Sequence, residues 1–267
     1  MAEAAAAYRA ILGSSVRSQT AYRSSLVVDL VGSLGATAIS FAEIAVIFTN
    51  VKALGGLTFT RALTVFAIAQ VCFTLADMFV GHLNDLPTYV RTGALDAYLL
   101  RPLPVLAQFA LGDVALRRLG RTAAGLVLLV IALSMNRVEW TSTKVLLLVL
   151  TLVSGTTVFA ALFVCGGAIQ FWLIDGFEFA AAFTYGANYA SQYPTSVFML
   201  PLRLLLTYVV PAAFVAYLPT LVLFDLPGPA GLPQWLGWCV PLVAAAAWTG
   251  ALAVWRAGLR HYTGAGS

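Results

Sequence analysis

Apolar runs long enough to cross a bilayer recur along this chain from Leu26 to Trp255, with few charges between them. Of its 267 residues, 61% are apolar and only 10% are charged, against about 25% charged in an average soluble domain. A soluble fold of this size needs a charged surface, and this chain has too few charges to cover one. With a mean hydropathy of +0.90, the solvent expected for most of it is hydrocarbon.

Six spans are expected, each long enough to cross about 30 Å at 1.5 Å per residue. They run from Leu26 to Phe48, Ala62 to Val80, Ala115 to Met135, Val145 to Ile174, Leu202 to Phe224 and Val240 to Trp255. The third carries Arg117, Arg118 and Arg121 in its first turns. The expected fold is an all-α integral membrane protein with six transmembrane helices. Its parts are an N-terminal interfacial segment (1–25), a transmembrane domain (26–260) and a short tail (261–267). The start, MAEAAAAYRA, lacks the long apolar core of a cleavable signal, so the first span is expected to direct insertion and remain.

The charges orient the chain. With the N-terminus inside and the spans alternating, Arg9, Arg17, Arg23, Arg91, Arg101, Arg117, Arg118, Arg121, Arg203, Arg256 and Arg260 face the cytoplasm. Lys52, Arg61, Arg137 and Lys144 are the remainder of the 15 basic residues and face outward. The positive-inside rule therefore places both termini in the cytoplasm. These residues form no basic stripe, so no nucleic-acid partner is expected despite the net charge of +4.

The connections are informative. Tyr8, Ile11, Leu12 and Val16 recur at helical spacing among Arg9, Arg17 and Arg23, as in a helix lying in the cytoplasmic interface. The inner connection from Gly81 to Val114 is too long for a turn and contains Pro87, Pro102 and Pro104. The outer connection, 225–237, holds Pro227, Pro229, Pro233 and Trp235, followed by Trp238, which suits the headgroup boundary. Residues from Asp175 to Leu200 are aromatic and weakly charged, and read as an interfacial segment before the fifth span.

Several chemistries are excluded. A Walker A loop needs lysine directly after glycine, yet Lys52 follows Val51 and Lys144 follows Thr143. Any ATP use must therefore come from another chain. His82 and His261 are the only histidines, and neither HExxH nor a GxSxG elbow occurs. Cys72, Cys165 and Cys239 lie in or beside apolar spans without CxxC pairing, as small apolar residues rather than metal ligands.

Three carboxylates stand in or near the first two spans: Asp29, Glu43 and Asp77. Acidic groups in hydrocarbon are costly and usually face a bundle interior or a wet path. Asp29 and Glu43 are 14 residues apart, close to four helical turns, and share a face. They either line a substrate path or dimer interface, or each reaches water near its own end of the span. Asp77 lies deeper and is the stronger candidate for an intramembrane role.

The inner connection reads Gly93-Ala94-Leu95-Asp96-Ala97-Tyr98-Leu99-Leu100-Arg101-Pro102-Leu103-Pro104. This G-x-L-D-x-x-L-L-R-P-L run resembles the signature loop of ABC-2-type exporter permeases, the membrane subunits of bacterial ATP-driven exporters. Phe171-Trp172, Tyr193-Pro194, Arg203, Pro211 and Pro219 follow in the same order, and the resemblance covers nearly the whole chain. It implies a permease in the bacterial plasma membrane, paired with a second permease chain, identical or related. Two separate ATPase subunits would bind ATP and Mg and dock on the cytoplasmic side, with no cofactor on this chain. A coupling helix would match Asp85 to Arg101, with Asp85, Arg91, Gly93, Leu95, Asp96, Leu99, Arg101 and Pro102 as docking residues. The N-terminal segment would match the family's interfacial helix, and the outer loop its short re-entrant helices. From the residues themselves, Asp85, Arg91, Asp96 and Arg101 give the loop contacts of both signs, while Pro102 and Pro104 stop a helix and fix its exit.

The function expected is that of a permease subunit of an ATP-driven exporter, not an enzyme itself. Its path would run between the first, second and fifth spans, and an apolar, aromatic lining favours a lipid, drug or natural product. The alternative is an ATP-independent channel or secondary carrier, for which Asp77 is the one convincing midplane group.

Overall fold

The computed structural model describes residues 23–112, 118–173, 177–229 and 232–262, and these fold as helices and short connections without a β-strand. The expected interfacial helix at 1–25 falls almost wholly outside them, as does most of the tail. Helix α1 spans Arg23–Asn50 and α2 spans Phe59–Val80, joined by a turn through Gly55 and Gly56. A 3-10 turn, Gly81–Asp85, leads to α3 (Leu86–Arg91), α4 (Ala94–Leu99) and α5 (Val105–Gly112). Then come α6 (Leu119–Met135), α7 (Ser142–Ile169) and α8 (Phe177–Ser191). Helix α9 (Leu200–Leu204) continues as a π-turn to Val209, followed by α10 (Ala212–Val215), α11 (Tyr217–Leu223) and α12 (Val240–His261).

Among the described residues, three helical stretches are long and apolar enough to cross a membrane: Phe59–Arg91, Ser142–Ile169 and Gln234–His261. The bent pair Leu200–Val209 and Ala212–Leu223 makes a fourth if it is one span. Leu34–Asn50 and Leu119–Met135 are apolar but shorter.

Helix α2 is the axis. In its most apolar stretch 89% of the residues are buried, and α6, α7 and α8 pack around it. Small residues allow the close approach. A Cβ at Gly155 of α7 would stand 2.7 Å from Cys72 Sγ of α2 and 3.2 Å from Val215 Cγ1 of α10. Helices in hydrocarbon gain no hydrophobic drive toward one another, so van der Waals contact at such positions holds them together.

The bundle has two ends. At one, Asn136 Nδ2 donates to Thr60 O at 2.9 Å, Lys144 pairs with Asp225, and Arg61 stands over the Phe224 ring. Gly55 lies at this end too. At the other, Arg118 meets Asp77, and Gly258 of α12 packs against Ala168 and Phe171.

Helix α8 packs against α2 and α7 within the bundle. Near its start Ala180 packs on Gly166, and Asn84 Nδ2 donates to the Tyr185 hydroxyl at 3.4 Å. Past its end, Gln192 Nε2 reaches Gln70 Oε1 at 3.4 Å and Ser196 Oγ donates to Gly55 O at 2.9 Å. The stretch expected as the fifth span behaves differently. Arg203 Nη2 donates to Ser196 O at 2.9 Å and to Phe198 O at 3.2 Å, at the Gly55 end. Phe224 and Asp225 return to the same end. Between them the chain dips to the level of Gly155, halfway along α7, and turns back. Pro211 explains the turn: it supplies no N–H, and its ring clashes with the carbonyl four residues earlier. The last bond before it is an i→i+5 one, Val210 N–H to Leu205 O at 2.9 Å, and the two halves bend by 67°. Arg203, expected with the inner basic residues, thus sits at the Lys52 and Lys144 end.

This route is testable. In a cysteine-free background, Met199→Cys, whose parent residue is 74% exposed, should react with a membrane-impermeant maleimide from the same side as Lys52→Cys. Labelling from the side that labels Arg101→Cys would restore the Leu202-to-Phe224 span.

Candidate functional site

The loop that follows α2 is a packed helix–turn–helix. Leu95 is fully buried, and Leu86 and Val105 join it in the core. An aromatic cluster holds the rest. The Tyr98 and Phe109 rings stack at 4.6 Å, Tyr89 meets Phe109 edge-on at 5.0 Å, and His82 stacks on Phe109 at 5.8 Å. Each such pair adds about 0.5–1.5 kcal/mol beyond burial. Gln108 Nε2 ties the exit by donating to Tyr98 O and Leu103 O. Gly93 sits at φ +69°, a left-handed turn between α3 and α4 that a side chain would strain.

The expected docking residues divide into two groups. Asp85, Arg91, Leu99, Arg101 and Pro102 are exposed, and beside them Leu100 is 86% exposed. Arg101 lies over the Tyr98 ring at 5.5 Å. Gly93, Leu95 and Asp96 face inward instead. The Tyr262 hydroxyl, at the end of α12, donates to Asp96 Oδ1 at 3.0 Å. Asp96 therefore fastens the loop to α12, a role invisible in the sequence because its partner is 166 residues away.

Asp77 is buried at the end of α2 and pairs with Arg118, which precedes α6, at 2.9 Å. The guanidinium also donates to the Asp77 carbonyl. Gly81 packs so closely here that a Cβ would collide with both charged groups. A carboxylate in such a place is tolerated only when paired. The sequence offered one signal, an arginine in the first turn of an apolar helix.

Glu43 on α1 accepts a hydrogen bond from the Tyr189 hydroxyl on α8, and the Tyr189 and Tyr193 rings lie 5.5 Å apart. Both Glu43 and Tyr189 are exposed. With the Gln70–Gln192 contact they form a polar seam where α1, α2 and α8 meet. Asp29 lies in α1, and its side chain is outside the described residues, so its face is not assigned. The seam and the Asp77 pair lie at different levels of α2 and do not form one site.

Removing one partner of a buried pair costs about 3–5 kcal/mol because the other charge is stranded. The Asp77 side chain is 3% exposed and Arg118 21%, so the losses should be unequal. Arg118→Met should lower the midpoint of thermal unfolding in detergent more than Asp77→Asn does, and the double variant should recover part of the loss. Equal, additive losses would contradict the pairing. Gly81→Ala should destabilise as Arg118→Met does.

Residues 34–266 match the family model described as ABC-2 family transporter protein. No curated protein and no solved structure matches the chain. A match over most of the length, together with an all-helical fold and apolar helices able to cross a membrane, means that this chain belongs to the ABC-2 transporter family and is a membrane transport subunit.

Proposed function

We propose that this chain is the permease subunit of an ATP-driven exporter in the bacterial plasma membrane, working as a dimer with an identical or related permease. Two ATPase subunits bind ATP and Mg and dock on the exposed rim of the loop. The observation that carries this reading is the loop itself. It is rigidly packed on its inner side, yet it presents Arg91, Leu99, Leu100, Arg101 and Pro102 outward. An exposed leucine pair flanked by arginines suits a protein partner better than water.

Six crossings, with α8 as the fifth, keep both termini in the cytoplasm. Even with Arg203 outside, the basic residues assigned to the inner side outnumber the others. The path lies along the α1, α2 and α8 seam, past Glu43 and Tyr189, and suits a hydrophobic or amphipathic molecule moving outward. ATP binding draws the two loops together, and the packed loop carries that motion into α2 and, through Tyr262, into α12. The two conformations then differ in affinity for substrate, which is the requirement for coupling. The rival reading, an ATP-independent channel or carrier, relied on Asp77 as a midplane group. Its bond to Arg118 gives it a structural task and weakens that rival.

Purification of the tagged chain in mild detergent, followed by mass spectrometry and an ATPase assay, tests the proposal. An ATP-binding subunit should co-purify. Changing Arg91, Leu99 and Arg101 together to Ala should lower its yield at least about tenfold, as loss of interface hot spots does. A chain that purifies alone, without ATPase activity, would overturn the reading.

A further inference from the structure

A groove of about 560 Å³ runs between α5 and α12 at the Asp77 end of the bundle. Leu106 and Ala110 form one wall, Trp248, Leu252 and Leu259 the other, and Arg256 stands at its edge. The leucines and Ala110 are half-buried, so the groove is open at the protein surface rather than sealed within it. Arg256 and Arg260 are one helical turn apart on the same face of α12, and both are exposed. Among the described residues neither meets a carboxylate within ion-pairing distance; the ion pairs there are Arg118–Asp77 and Lys144–Asp225. The Asp96 carboxylate nearby accepts from Tyr262 instead.

We infer that this groove is a binding site for one anionic phospholipid, with an acyl chain along the α5–α12 walls and the phosphate on Arg256 and Arg260. The charge pattern selects this occupant. An apolar trough ending in two cations matches a molecule with an apolar tail and an anionic head, and guanidinium groups bind phosphate oxygens bidentately. Basic pockets between membrane helices at an interface bind acidic headgroups for the same reason. A zwitterionic lipid offers the tail, but its own cation offsets the attraction of the head. A transmembrane helix from another chain would fill the trough but leave both arginines without an anion. The site also has a mechanical position. Helix α5 continues directly from Pro104 at the exit of the docking loop, so a lipid wedged against α12 braces that loop. The inference rests only on the chain standing in a membrane, not on the direction of transport or on the ATPase.

The test uses the purified full chain, without ATPase, titrated with phosphatidylglycerol or phosphatidylcholine of matched acyl chains and followed by native mass spectrometry. The wild type should hold one phosphatidylglycerol per chain in preference to phosphatidylcholine. Arg256→Ala with Arg260→Ala should weaken phosphatidylglycerol binding about thirtyfold, the loss expected for two basic contacts near a membrane surface. Phosphatidylcholine binding should change little. The double lysine variant should retain most of the preference, which separates lost charge from lost folding. Leu252→Trp, which fills the trough, should weaken both lipids. Equal retention of the two lipids by the wild type would overturn the inference. So would an alanine variant that binds like the wild type, or a Leu252→Trp chain that keeps its phosphatidylglycerol.

Discussion

The ion pair between Asp77 and Arg118 fixes the end of the bundle from which the α3–α4 loop extends. It joins the last turn of α2 to the residue before α6, and Gly81 leaves room for it by having no side chain. A carboxylate 3% exposed among apolar helices is stable only with such a partner. The pair thereby sets where α2 ends and where the next segment begins. The 3-10 turn at Gly81–Asp85 follows at once, and the aromatic cluster of His82, Tyr89, Tyr98 and Phe109 is built on that turn. Loosening the pair would release the base on which the proposed docking surface stands.

That anchoring has a mechanical consequence. The α3–α4 loop is tied to α2 by chain continuity, to α5 by Gln108 and Phe109, and to α12 by the hydrogen bond from Tyr262 to Asp96. It is packed on its inner face and free on its outer face. A force applied outside reaches the bundle through several rigid contacts rather than through one flexible linker, as a rigid-body mechanism requires. The opposite end is also held by contacts between residues far apart in sequence, such as Ser196 to Gly55 and Lys144 to the exposed Asp225. The bent segment through Pro211 lies against α7 there and adds no second covalent tie to the loop.

Much of this was legible from composition and periodicity. The apolar runs located α2, α7 and α12, the proline pair ended the α3–α4 loop, and the motif around Gly93 pointed to the family. The place of α8 inside the bundle was not legible. Helix α8 carries Thr184, Tyr185, Asn188 and Tyr189, and Gln192 follows, so its hydropathy is low. Tyr185, Tyr189 and Gln192 find partners in Asn84, Glu43 and Gln70, all far away in sequence. The stretch from Leu202 to Phe224 is more apolar, yet Pro211 breaks it into a dip. Hydropathy measures transfer into lipid, not whether a backbone can continue straight. Arg203 was misplaced for the same reason. The residues expected to dock a partner came from a motif, but which of them turn inward depended on Tyr262 and the aromatic cluster, contacts that no local pattern encodes.

The central claim is that the outer rim of the α3–α4 loop is the surface an ATPase subunit grips. Site-specific photo-crosslinking in intact membranes addresses it most directly, with a photoreactive amino acid placed in turn at Leu99, Leu100, Arg101 and Met199. The account predicts a cross-link to an ATP-binding subunit from the first three positions and none from Met199, which lies at the far end of the bundle. No cross-link from the loop, or an equal one from Met199, would contradict it.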